Sequence, residues 1–260
     1  MAQISAFYCV VSPDALSKVT SSGFSPALLG YRLGERLQLF RSGPPAAVSG
    51  GLLVLSAGSD LPEGDFAPLI QQIIRECRAR GASGLLADWE AVTPRLSQLT
   101  QFLARQLNQY GLALYVPEEY GLVSPQTRVL ISSSLSGGTL ELRLREALEQ
   151  WGPNRAVLAL ERMREDFPLP CLSGKGKTVS EERLNTFLRQ QRPQVYWSEE
   201  FCARYFTYRE GNRVHFVLFD DGPSLLKKLE LAGRVGFRTA IAPWQEISGQ
   251  ASEIQALLGR

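Results

Sequence analysis

The sequence reads as an α/β protein, a single (β/α)8 TIM barrel, on three grounds. Short runs rich in Val, Leu and Ile alternate with longer segments whose apolar residues recur at helical spacing, the pattern of a largely parallel sheet. Eight such runs fit within 260 residues, the usual size of a closed barrel. The stretches that resemble linkers, Ser42–Pro45 and Pro168–Lys177, are too short to separate domains. The expectation is one domain over residues 1–260, with a small hairpin-rich insertion at about 167–221 between the seventh and eighth strands.

In chain order, Ile4–Val11 reads as the first strand and Asp14–Ser21 as a short helix started near Ser12-Pro13. Arg36–Arg41 serves as the second strand, with Leu37 and Leu39 on one face. Leu52–Ala57 follows the Gly50-Gly51 break. Phe66–Arg80 places Phe66, Leu69, Ile70, Ile73, Ile74 and Cys77 on one helical stripe, and Gly81 stops it. Gly84–Glu90 is the fourth strand, and Pro94–Tyr110 a helix ended by Gly111. Leu112–Val116 and Arg128–Ser132 are strands five and six, Leu140–Trp151 is a helix closed by Gly152-Pro153, and Ala156–Leu160 is strand seven. Ser180 caps a helix to Gln191. Three strand-like runs follow (Gln194–Trp197, Arg204–Arg209, Val214–Phe219), the last two joined at Glu210-Gly211-Asn212 as a hairpin. Helix Ser224–Val235 and strand Thr239–Trp244 complete the eight.

Composition removes several classes of function. Twenty-eight Lys and Arg balance 26 Asp and Glu, a formal +2, too even for a nucleic-acid surface or a polybasic membrane patch. The lone histidine, His215, weighs against a Ser-His-Asp enzyme and removes any metal site built from several histidines. Cys9, Cys77, Cys171 and Cys202 are far apart, with no C-x-x-C, and read as buried thiols. No metal and no cofactor is expected. The Gly176-Lys177-Thr178 ending lacks the glycine a phosphate loop needs four residues earlier, and no strand leads into it. No apolar window reaches the roughly 18–20 residues of a membrane span. Met1-Ala2-Gln3-Ile4 carries no basic region before the first strand, so the expectation is a chain without signal peptide, cytoplasmic as synthesised.

The sharpest chemical feature is Asp88-Trp89-Glu90, which ends the run Gly84-Leu85-Leu86-Ala87. Alternation puts Leu86, Asp88 and Glu90 on one face and Trp89 on the other, toward the helices. In a barrel that first face points inward, and the C-terminal strand end opens on the active-site mouth. Carboxylates about 6.6 Å apart along one inward face repel each other, so one holds its proton to higher pH, as a general acid must. The plain alternative is a loop pair that caps the next helix.

Gly84-Leu85-Leu86-Ala87-Asp88-Trp89-Glu90 resembles the end of the D-x-x-D-x-D-x-E motif of family 18 glycoside hydrolases, the chitinase-like barrels. Tyr205-Phe206-Thr207-Tyr208, His215 through Asp221, Ser224-Leu225, Lys227-Lys228 and Ala242-Pro243-Trp244 are similar to the C-terminal third of that family's bacterial spore-associated, cortex-lytic branch. The resemblance covers almost the whole chain loosely; at motif level it holds over 84–90 and about 196–246.

The resemblance implies a glycosidase for N-acetylated amino-sugar polymers, with peptidoglycan of the spore cortex first and chitin-type oligosaccharides second, and a spore or wall association. By the same resemblance Glu90 is the general acid. Asp88 orients the substrate's N-acetyl group, whose oxygen attacks the anomeric carbon. Trp244 falls on the indole that floors the sugar subsite, the alternative being core filler at the barrel end. Two departures weigh on turnover. Ser83 and Leu86 stand where the motif has its first two aspartates, and Val129–Ser134 lacks the Tyr-Asp pair of the family's sixth strand. A sugar-binding barrel without turnover is therefore the competing reading.

Among other residues, Tyr8 either walls the subsite or packs in the barrel. Glu118-Glu119, after the fifth strand, either contacts sugar or starts a helix in solvent. Glu161, with Arg162 and Arg164 after the seventh strand, is read the same way, and His215 as structural.

Overall fold

The structure, a computed structural model, describes residues 4–171 and 174–259. Eight parallel strands close into a barrel: β1 (Ala6–Val11), β2 (Ser25–Leu33), β4 (Leu52–Ala57), β5 (Gly84–Trp89), β6 (Ala113–Pro117), β7 (Thr127–Ser132), β8 (Ala156–Ala159) and β14 (Thr239–Pro243). Pairing of β1 with both β14 and β2 completes the ring, which leaves no free edge within it. The short β3 (Leu39–Arg41) runs antiparallel to the end of β2 on the outside.

The second barrel strand is Ser25–Leu33, not the Arg36–Arg41 run that the sequence suggests. A bulge hides its alternation: the register against β4 shifts between Leu28 and Tyr31, and Gly30 between them adopts φ +128°. Side chains before and after the bulge change face by one position, so no period of two survives over the whole strand.

Helices cover the ring because each carries one apolar stripe. In α2 (Ala67–Arg80) the buried positions are Leu69, Ile70, Ile73, Ile74 and Cys77, and Gly81 closes the helix in the left-handed conformation at φ +68°. In α3 (Pro94–Gln109) Thr93 caps the start by accepting a hydrogen bond from the Leu96 amide at 3.1 Å. Thr139 caps α4 (Leu140–Trp151) and Asp221 caps α6 (Gly222–Val235) with a reciprocal bond from Ser224. The short α1 (Leu16–Ser21), α7 (Trp244–Ile247) and α8 (Ala251–Leu257) complete the layer. Between β6 and β7 stands only the 3-10 turn Glu118–Tyr120.

The insertion lies between β8 and β14, as expected, and its first strand starts a little before the expected bound of about 167. Its first strand, β9 (Arg164–Leu169), forms a five-stranded antiparallel sheet with β10 (Lys177–Thr178), β11 (Tyr196–Ser198), β12 (Ala203–Glu210) and β13 (Arg213–Phe219). Helix α5 (Glu181–Gln191) packs Phe187 against Phe206 and Tyr208 on one face. Charged Arg164, Glu165 and Asp166 concealed β9 in the sequence. Asp166 is in fact half-sheltered, accepting from Tyr208 Oη at 2.8 Å and facing His215 Nδ1 at 2.9 Å. At the root of the insertion Lys228 and Asp220, 1% and 0% exposed, form an ion pair at 2.6 Å, and the Met163 amide also donates to Asp220.

The barrel interior holds Ala27, Leu52, Val54, Leu86, Tyr115, Val157 and Ile241. Within it the Tyr115 hydroxyl receives Arg128 Nη1 at 2.6 Å, and the Tyr115 ring meets Tyr8 edge-on at 5.8 Å. Burial, foremost, pushes the Tyr115 hydroxyl well above its ordinary pKa. Among the described residues no helix is long and apolar enough to cross a membrane, and no cluster of His, Cys, Asp and Glu is placed to hold a metal.

Candidate active site

A cavity of about 440 Å³ opens at the C-terminal mouth of the barrel. Its floor is apolar, from Val10, Leu29, Val54, Leu86, Leu130 and Ile241. These are alternate residues of successive strands, the inward set that parallel register requires. One step higher on the same faces come the polar groups. Ser56 and Asp88 are register partners on β4 and β5, and Ser56 Oγ donates to Asp88 Oδ2 at 2.8 Å. On the far side, Ser132 and Glu161 form a second couple, Ser132 Oγ donating to Glu161 Oε2 at 2.5 Å. Glu118 and Glu119 complete the acidic rim, and Arg143 of α4 pairs with Glu118.

Trp89 turns the other way, as the strand's alternation dictates. It is 8% exposed and its indole Nε1 donates to Thr100 Oγ1 of α3 at 3.0 Å. Glu90 lies one residue past β5, its amide donating to the Ala57 carbonyl at 3.1 Å and so extending the parallel ladder by a step. Its carboxylate is exposed and reaches toward Gly58, where a Cβ would come within 3.6 Å of Oε2. Glu90 therefore stands at the rim beside the cavity, whereas Asp88 forms part of its wall.

Two further sequence-predicted residues lie away from the cavity lining. Trp244 begins α7 with 9% exposure and packs its ring against Phe24 at 6.2 Å, in the layer between barrel and helices. Ile241 and Pro243 point into the cavity, so Trp244, one position beyond Pro243, falls on the outward side. Tyr8 packs inside the barrel beside Tyr115 rather than along the cavity wall. Glu118, by contrast, lines the cavity.

Ser56 and Glu161 join the site although neither belongs to the motif. Ser56 shares a face with Leu52 and Val54, so alternation alone carries it to the mouth. Glu161 lies beyond the end of β8, where alternation no longer applies; the local signal is the serine run Ser132-Ser133-Ser134 on the neighbouring strand. Ser133, fully buried, accepts a hydrogen bond from the Glu161 amide at 3.0 Å, and the Ser134 amide donates to Ser132 Oγ at 3.1 Å.

A closed (β/α)8 barrel is the fold that known chitinases and spore cortex-lytic enzymes share with this chain. The chitinase of Chromobacterium violaceum superposes with a TM-score of 0.68 at 15% identity, over 98% of this chain and 99% of that one. A variant of the class V chitinase of Nicotiana tobaccum, solved in complex with NAG4, gives 0.69 at 14% identity over 98% and 99%. The spore cortex-lytic enzyme SleL of Bacillus megaterium gives 0.62 at 14% identity over 94% and 71%. No protein-family model matches the sequence, and no curated protein matches it.

Proposed function

We propose that the barrel mouth is the active site of a glycoside hydrolase for N-acetylated amino-sugar polymers, peptidoglycan of the spore cortex or chitin-type oligosaccharides. The observation that carries the reading is Asp88 on the wall of the mouth cavity with Glu90 two residues on at its rim, in a barrel whose structural relatives include chitinases and cortex-lytic enzymes. A spore or wall association is the setting it implies.

In this reading Glu90 protonates the glycosidic oxygen. Asp88, held by Ser56, orients the acetamide so that its oxygen attacks the anomeric carbon and stabilises the positive charge of the cyclised intermediate. Water then opens that intermediate with Glu90 acting as base, giving retention. Proton transfer requires the exposed Glu90 side chain to turn inward over the rim. The apolar floor supports the C–H face of a pyranose, a part the outward Trp244 does not take.

One observation favours a second reading, a sugar-binding barrel without turnover. The apolar floor includes Leu86 where the related motif carries an aspartate, and Glu90 lies outside the cavity lining. Kinetics separate the two. Hydrolysis of N-acetylglucosamine tetramer or muropeptides by the wild type, falling about 10²–10⁴-fold in Glu90→Gln with affinity retained, supports the enzyme. Tetramer binding without cleavage across about pH 4 to 8 leaves only the binder.

A further inference from the structure

Glu90 is exposed, yet the backbone that carries it is held from both sides. Its own amide is bonded to the Ala57 carbonyl, and before it the Trp89 indole is fastened to Thr100 of α3 at 3.0 Å. After it, one phenol spans the loop. Tyr120 Oη donates to the Ala91 carbonyl at 2.5 Å and receives the Thr93 amide at 3.4 Å. Thr93 in turn caps α3, so this clamp joins the Glu90 loop to the start of that helix. Tyr120 is 1% exposed and belongs to the 3-10 turn whose Glu118 and Glu119 line the cavity. That turn is pressed against α4, since a Cβ on Gly121 would come within 2.7 Å of the Trp151 ring. Burial, foremost, raises the Tyr120 hydroxyl above its ordinary pKa, so it stays a donor throughout about pH 4 to 8. Packing needs only the ring, which phenylalanine would supply. Both bonds of the hydroxyl go to the loop that begins at Glu90.

We propose that Tyr120 is a positioning residue for Glu90: its hydroxyl fixes the 90–93 backbone, so that the acid reaches the glycosidic oxygen by side-chain rotation alone. This rests on the reading of Glu90 as the general acid and adds the group that holds its backbone at the mouth. Misplacing such a group by about 1 Å costs on the order of 10²-fold in rate. The apolar floor that supports the sugar lies on other strands and is untouched.

Kinetics of the full chain on N-acetylglucosamine tetramer test it. Tyr120→Phe keeps the buried ring and is expected to lower kcat about 10- to 100-fold, with KM changed less than about twofold. In the Glu90→Gln background the same substitution costs nothing further, because it acts through a group already lost. On a nitrophenyl glycoside of the N-acetylglucosamine dimer, whose phenolate leaves without a proton, the loss in kcat/KM shrinks to less than about threefold. Hydrogen exchange reads the clamp directly: the Thr93 amide exchanges slowly in the wild type and at least about tenfold faster in Tyr120→Phe. Full turnover in Tyr120→Phe, equal losses in both backgrounds or on both substrates, or fast exchange of the wild-type Thr93 amide overturns the proposal and leaves Glu90 as the acid. A wild type that cleaves neither substrate overturns both.

Discussion

Asp88 and Trp244 obey one geometric rule with opposite results. Alternation along β5 brings Asp88 to the cavity, and alternation along β14 sends Trp244 behind Pro243 into the layer beneath the helices. The sequence motif places both at the mouth, because a motif records which residues recur and not which way a side chain turns after the strand ends. Trp244→Ala is therefore expected to act through packing. It removes a large ring from contact with Phe24 and costs about 3–5 kcal/mol in urea unfolding. Tetramer affinity in the fraction that folds stays unchanged. A large loss of affinity with unchanged stability would place the indole in the sugar site after all. Glu90 was equally legible as an end-of-strand acid, but its rim position was not, since residues beyond Trp89 follow the loop and not the pleat.

Among elements, the insertion is where buried charge matters most. Asp220 directly follows β13 and Lys228 lies two turns into α6, so their pair ties the sheet to the barrel's outer layer. Burial raises the Asp220 pKa, and the Lys228 ammonium opposes that rise. Lys228→Met leaves a carboxylate uncompensated in the interior and is expected to destabilise by about 3–5 kcal/mol. Asp220→Asn with Lys228→Met recovers part of that loss, which a double-mutant cycle in denaturant measures. Equal stability of the single and double variants would show that the charge on Asp220 is not what matters. Helices α2, α3 and α4 were readable from their stripes and caps. β2 and β9 were not, because a bulge at Gly30 broke one alternation and the charged Arg164–Asp166 run disguised the other.

For the whole molecule, the barrel's closure by β1 and its cover by α2 bury two thiols that report on alkaline stability. Burial pushes Cys9 and Cys77 each up to about 12, from a reference of 9.0. Between these values the unfolded chain loses thiol protons that the folded chain keeps, so ν_U is below ν_N and stability falls as pH rises. Each thiol contributes a slope of about 1.4 kcal/mol per pH unit in that window and nothing below it. Unfolding free energies from pH 8 to 11 are expected to fall more steeply in the wild type than in Cys9→Ala or Cys77→Ala; parallel slopes would rule the thiols out. The eight-strand count and the place of the insertion were legible in the alternation of apolar runs. Which run formed the second strand required the closed hydrogen-bond ring.

The proposed function has an amino-sugar polymer bind and be cut at the barrel mouth, between Asp88 on its wall and Glu90 at its rim. A crystal structure of Glu90→Gln with N-acetylglucosamine tetramer tests it most directly, because the substitution keeps the side-chain shape while removing the proton donor. The expected result is an intact tetramer across the apolar floor, its acetamide against Asp88 and the substituted side chain turned toward a glycosidic oxygen. A tetramer seated elsewhere, or lying in the mouth with its acetamide away from Asp88, would contradict it.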